Sequence, residues 1–211
     1  MGWRETLEGL YRSRDWTQAS AQDREKAVKD VIHMSSLGAA AVSVTPVPLV
    51  DLVVTLPLQG AMVMAVAHVK GRDLSKEESL TVARELGAVV GAHLVARQAF
   101  IALARLVFPG AGGLLAAPWA FAVTYGMGRV AEAYFDNPDA PGDALRDRFK
   151  QGMEDAKKAF SKDAFMDFMD GKGKEARDFA AGEKAAEPAP EERKDVRVVE
   201  AEWGDEGGSL K

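Results

Sequence analysis

Apolar residues along this chain recur at intervals of three and four, and the alternation that marks strands is nearly absent. Alanine is abundant where strands favour branched residues, and there is no Asn-Gly or Asp-Gly turn. The expected fold is therefore all-α. Ser20 followed by Asp23 reads as an N-cap with an acidic first turn, and Ala27, Val31 and Met34 then repeat at helical spacing toward Gly38. Pro46 and Pro48 suit a first turn, so a second helix is expected from near Pro48, kinked or restarted at Pro57, ending before Gly71. Ser75 and Glu78 form a capping box for a third helix that Pro109-Gly110 stops. Some thirty-two residues make this a rod roughly 48 Å long. A fourth helix is expected from about Gly113 to Phe135, with Pro118 early enough to be tolerated.

The sequence "DNPDAPGD" then breaks the pattern. Beyond it Leu145, Phe149, Met153, Ala156 and Phe160, continued by Phe165, Phe168 and Met169, form an apolar stripe beside Lys150, Lys157, Lys158 and Lys162. That is an amphipathic helix. From Gly171 onward Gly, Lys, Glu, Ala and Pro dominate, and such a segment buries too little surface to offset its ordering entropy. The expected organisation is an N-terminal segment at 1–18, a hydrophobic helical bundle of about four helices at 19–136, an amphipathic helix at 143–170 and a disordered acidic tail at 171–211. Within the tail, "DVRVVEAEW" at 195–203 concentrates Val196, Val198, Val199 and Trp203, and is expected to act as a short linear motif that becomes extended on a partner.

Charge sharpens this division. Of 27 Lys and Arg against 32 Asp and Glu, residues 31–128 hold only six and five, whereas residues 129–211 hold fifteen and twenty-one. An acidic tail repels phosphate backbones and no basic face with interleaved aromatics is visible, so nucleic acid is not an expected partner. Three stretches lack Lys, Arg, Asp and Glu: 31–50, 52–69 and 106–128. The last has twenty-three residues, about 35 Å as a helix, against a hydrocarbon thickness of roughly 30 Å. Its large apolar side chains favour insertion by about 3 kcal/mol, and two prolines and five glycines oppose it by a comparable amount. Arg97, near the middle of the third helix, would cost on the order of 3 kcal/mol at a bilayer centre. That helix is not an ordinary span. Ala83, Gly87 and Gly91, spaced every four positions, permit close helix packing in lipid or in water.

Candidate chemistry is sparse. The chain has no cysteine, which removes disulfides, thiol catalysis and thiolate metal sites and accords with the cytosol. His33, His68 and His93 lie in different expected helices without a metal-binding spacing, so no metal and no cofactor is expected. "FPGAGG" at 108–113 reads as a helix–helix turn, because no strand precedes it and no Gly-Lys-Ser follows. The N-terminus shows no secretory signal, and its match to a myristoylation pattern at Gly2 and Thr6 is a chance one. Asp51, set among apolar residues, is expected to be structural, complementing the helix dipole just after Pro48 or pairing with a buried Arg97, with proton or ion coupling as its functional reading. Phe149, Met153, Phe160, Phe165, Phe168 and Met169 are the expected membrane or partner contacts, intramolecular packing being their other reading.

Landmarks in residues 37–135 follow a recognisable order: Pro46-x-Pro48-x-x-Asp51, Gln59-x-x-Met62, Gly71-x-x-Leu74-Ser75, Leu86-Gly87, Ala96-Arg97-Gln98, Pro109-Gly110-x-Gly112 and Gly128-Arg129-x-Ala131-x-x-Tyr134-Phe135. This resembles the YcjF-type, GTPase-associated family, a bacterial domain of unknown function often fused behind an Era-like GTPase. The resemblance implies a helical, hydrophobic, membrane-associated domain without a known catalytic activity and without established site residues to carry over. The chain departs from the fused members in having no Walker A lysine, no switch region and no room for a GTPase before residue 30. A GTPase partner would be a separate protein. The expected function is a non-enzymatic module, inserted in or peripheral to a membrane at the cytoplasmic face of the bacterial inner membrane, that recruits or is regulated by a protein partner. A soluble cytoplasmic interaction protein, forming homo-oligomers through its apolar helices, is the alternative, and an enzyme or ion-coupled protein using Asp51 the third.

Overall fold

The computed structural model describes residues 14–44, 50–107 and 112–175, with side-chain surroundings described for 14–44, 57–91 and 116–175. The chain is all-α. Helix α1 is Ala21–Ser43, α2 Val50–Val69, α3 Lys76–Val107, α4 Gly112–Asp136, α5 Gly142–Ala159 and α6 Lys162–Gly171.

Local chemistry accounts for most boundaries. Ser20 caps α1 by accepting the Asp23 amide at 3.0 Å. The helix runs past Gly38, where it was expected to end, to Ser43. The glycine is followed by three alanines, and helix propagation through them outweighs the roughly 1 kcal/mol cost of one glycine. Pro57 lies inside α2 without ending it. At its other end α2 closes in a Schellman turn: Gly71, at φ 77°, donates to His68 O at 2.9 Å, and Arg72 donates to Ala67 O at 2.8 Å. The capping box at α3 is present in both directions, with Glu78 N donating to Ser75 Oγ at 3.2 Å and Ser75 N to Glu78 Oε2 at 2.8 Å. From there α3 continues for 32 residues. Pro118 is carried within α4.

The amphipathic helix expected as one piece over 143–170 is two. Phe160 and Ser161 adopt extended backbone between α5 and α6, with ψ of 118° and 129°. Ser161 then restarts the chain as an N-cap, its Oγ accepting the Ala164 amide at 3.3 Å. The polar serine offers the backbone an alternative to continuing the helix.

Helix α4 is the centre of the packing, in contact with α1, α2, α3 and α5. A single apolar core joins Val28, Val31 and Ile32 of α1, Leu58, Met62 and Val66 of α2, Phe121 and Val130 of α4, Phe149 of α5 and Phe165 of α6. Two crossings approach closely because glycine leaves room. A Cβ on Gly128 would lie 2.7 Å from Ile32 Cγ1 and 3.1 Å from Met62 Sδ. A Cβ on Gly152 would lie 2.9 Å from the Cα of Gly126. The turns after α2 and α4 share one end of the bundle, where Lys70 bonds Asp136.

Candidate functional site

The densest polar constellation lies at the end where α2 and α4 finish. Glu132 of α4 is only 7 % exposed. Arg129, one turn earlier, donates to its Oε2. Lys70 Nζ, at the end of α2, stands 4.0 Å from Oε1 and donates to both oxygens of Asp136, at 2.7 and 2.9 Å. Arg148 of α5 places Nη2 4.0 Å from Glu132 Oε2 and donates Nη1 to Gln151 at 3.0 Å. One buried carboxylate thus gathers cations from three helices. The field reaches α1: exposed Glu25 is held below the ordinary carboxylate range, chiefly by its hydrogen bond from Lys29 and to a lesser extent by Arg129 and Lys70.

Chemically this is a clamp. The carboxylate is acceptor-only, and its cations fix the ends of α2, α4 and α5 relative to one another. A second tie lies nearby, where His68 Nδ1 is 2.6 Å from Asp73 Oδ1 and Nε2 is 3.3 Å from the Arg14 carbonyl. Among the described residues no three His, Asp or Glu side chains are grouped to hold a metal ion.

Around the α5–α6 elbow sits an aromatic chain. Phe165 tilts against Phe160 at 5.9 Å, Phe160 stands edge-on to Phe121 at 5.2 Å, and Phe121 meets His33 edge-on at 5.4 Å. Of the contact residues expected from sequence, Phe149, Phe165 and Phe168 are buried, and Met153, Phe160 and Met169 are half-buried against the same core. The large exposed apolar side chain on this stretch is Met166, at 47 %. Asp51 and Arg97 belong to α2 and α3, but their side chains lie outside the described residues, as does His93. The tail residues Val196, Val198, Val199 and Trp203 also lie outside them.

The described residues form a helical bundle with one buried, cation-bound carboxylate where α2 and α4 end. Residues 13–158 match the family described as Domain of unknown function (DUF697), and the chain belongs to that family. The match includes the resemblance seen over 37–135 and extends it through α1 and most of α5. The chain is 28% identical over 141 residues to Magnetosome membrane protein 22 of Magnetospirillum gryphiswaldense, covering 63% of this chain and 70% of that protein. No solved structure matches significantly. Among the described residues, no helix is long and apolar enough to cross a membrane.

Proposed function

We propose that this chain is a non-enzymatic, membrane-associated helical module at the cytoplasmic face of a bacterial inner membrane. One observation supports the reading: the middle of the chain is nearly uncharged, and the charges that interrupt it cluster at the turn after α2 and the start of α3. Residues 31–69 and 86–128 carry three charges, Asp51, Arg97 and Arg105, whereas residues 70–85 alone carry eight. The turns after α2 and α4 anchor the charged end through Lys70 and Asp136. In this reading the nearly uncharged part of the bundle meets lipid and the clamp at Glu132 faces water. The membrane location named for the Magnetospirillum relative supports the same reading. Flotation tests it directly: protein expressed without detergent should rise with vesicles through a density gradient, and protein remaining wholly at the bottom would refute it.

Within this proposal Asp51 and Arg97 form a pair that lets both charges sit in apolar surroundings. Breaking such a pair from one side costs about 3–5 kcal/mol. A double-mutant cycle of Asp51→Asn and Arg97→Gln should show strong coupling in stability; strictly additive losses would dispose of the pairing. The segment 195–203 serves as the partner-recruiting motif, a separate GTPase being the partner class that the family resemblance suggests. Truncation after Pro190 should leave the thermal midpoint unchanged and remove co-purifying protein. A midpoint lower by several degrees would mean that the tail packs on the bundle instead.

A further inference from the structure

Helix α6 lies beyond the family match, which ends at residue 158, yet it shares the core through Phe165 and Phe168. Its connection to α5 is the two-residue extended elbow, and its N-terminus is capped by its own Ser161. Ten residues are too few for a stable helix in isolation, so tertiary contact with α1 holds it. The aromatic chain from Phe165 through Phe160 and Phe121 ends on His33, a half-buried residue of α1.

We propose that α6 is a detachable latch whose seating requires an uncharged His33, so that protonating His33 releases α6 and uncovers the apolar face beneath Phe165 and Phe168. A half-buried imidazolium set against Phe121 loses part of its hydration, and among the described residues no carboxylate bonds to it in compensation. On α1 the charge that acts on it is exposed Asp30, which favours protonation; α4 faces it with Phe121. The charged groups of α6 (Lys162, Asp163, Asp167 and Asp170) and Lys157 and Lys158 at the end of α5 are all exposed. Burial outweighs the pull of Asp30 and holds His33 below the ordinary histidine range. The latch requires that seated α6, through Phe160 and Phe121, keeps water from the imidazole, so that on release His33 regains water and its ordinary affinity for a proton. The seated state binds fewer protons than the released one. Seating is therefore complete near neutral pH and weakens as pH falls through the ordinary histidine value of about 6.5. This latch is a property of the protein alone and does not depend on lipid binding.

Hydrogen exchange on the full chain, corrected for the intrinsic pH dependence of amide exchange, tests it. Between pH 6.5 and 5, protection of α6 should fall relative to α4 by up to about tenfold per pH unit, the slope for one linked proton. In His33→Gln the ratio of α6 to α4 protection should not change with pH. The latch is wrong if the wild-type ratio is flat, if all helices loosen together, or if the variant keeps the same slope. Should His33→Gln fail to fold, His33→Leu provides the uncharged comparison, and the wild-type ratio still decides whether α6 opens by itself.

Discussion

Replacing Glu132 with glutamine should lower stability by about 3 kcal/mol, which for a chain of this size is roughly 6–12 °C in thermal midpoint. The loss comes from leaving Arg129 without a charged acceptor while Lys70 and Arg148 lose the carboxylate that both approach at 4.0 Å. The effect falls toward the low end of what breaking a buried pair costs, because Lys70 and Arg148 retain part of their hydration. Asp136→Asn is the control. That carboxylate is 57 % exposed, so its bond to Lys70 is screened and the change should cost under about 1 kcal/mol. Paired thermal melts decide the matter, and equal losses for the two variants would show that burial of Glu132 is not what gives the clamp its strength.

The second large effect is a sign reversal between two glycines. Gly152→Ala drives a methyl group to 2.9 Å from the Gly126 Cα and 3.2 Å from Arg129 Cβ. The nearest obstacle is backbone, which cannot rotate away, so α4 and α5 must separate. Overpacking of this kind costs about 1–3 kcal/mol, of which the better helix propensity of alanine returns about 0.5–1. Gly87→Ala in α3 has no atom of the described residues within 4 Å of its new methyl and should instead stabilise by about 0.5–1 kcal/mol. Chemical denaturation of the two variants beside the parent gives both signs in one experiment. A stabilised Gly152→Ala would mean that the α4–α5 crossing is looser than described.

These sites differ in how far the sequence reveals them. The caps at Ser20 and at Ser75 with Glu78 are local chemistry, written in residues three positions apart, and they appear where the spacing places them. The stop expected at Gly38 fails for a local reason too, since three following alanines sustain the helix. The elbow at Phe160 and Ser161 is harder to see, because the stripe of large apolar residues slips by only one position there, from Phe160 to Phe165, and a serine marks the restart. Glu132 is only partly written locally: Arg129 stands three positions before it, a helical ion-pair spacing, but nothing local marks the carboxylate as buried. It occupies an unspecified position between Arg129 and Tyr134 in the stretch that carried the family resemblance. Its partners Lys70 and Arg148 come from sixty-two residues before and sixteen after, so the cluster exists only once α2, α4 and α5 are packed. The same holds for His33, which reads as an isolated histidine until Phe121, itself packed on Phe160 of the elbow, is brought against it.

The proposed orientation at the membrane can be read at single positions because the chain contains no cysteine. An environment-sensitive fluorophore on one introduced cysteine, at Leu114→Cys in the uncharged stretch of α4 or Asp139→Cys in the turn after α4, reports each region in turn. On addition of vesicles, the label at 114 should shift to shorter wavelength and be quenched by a lipid-borne quencher, and the label at 139 should do neither. An unchanged label at 114, or a lipid response confined to 139, would contradict the account.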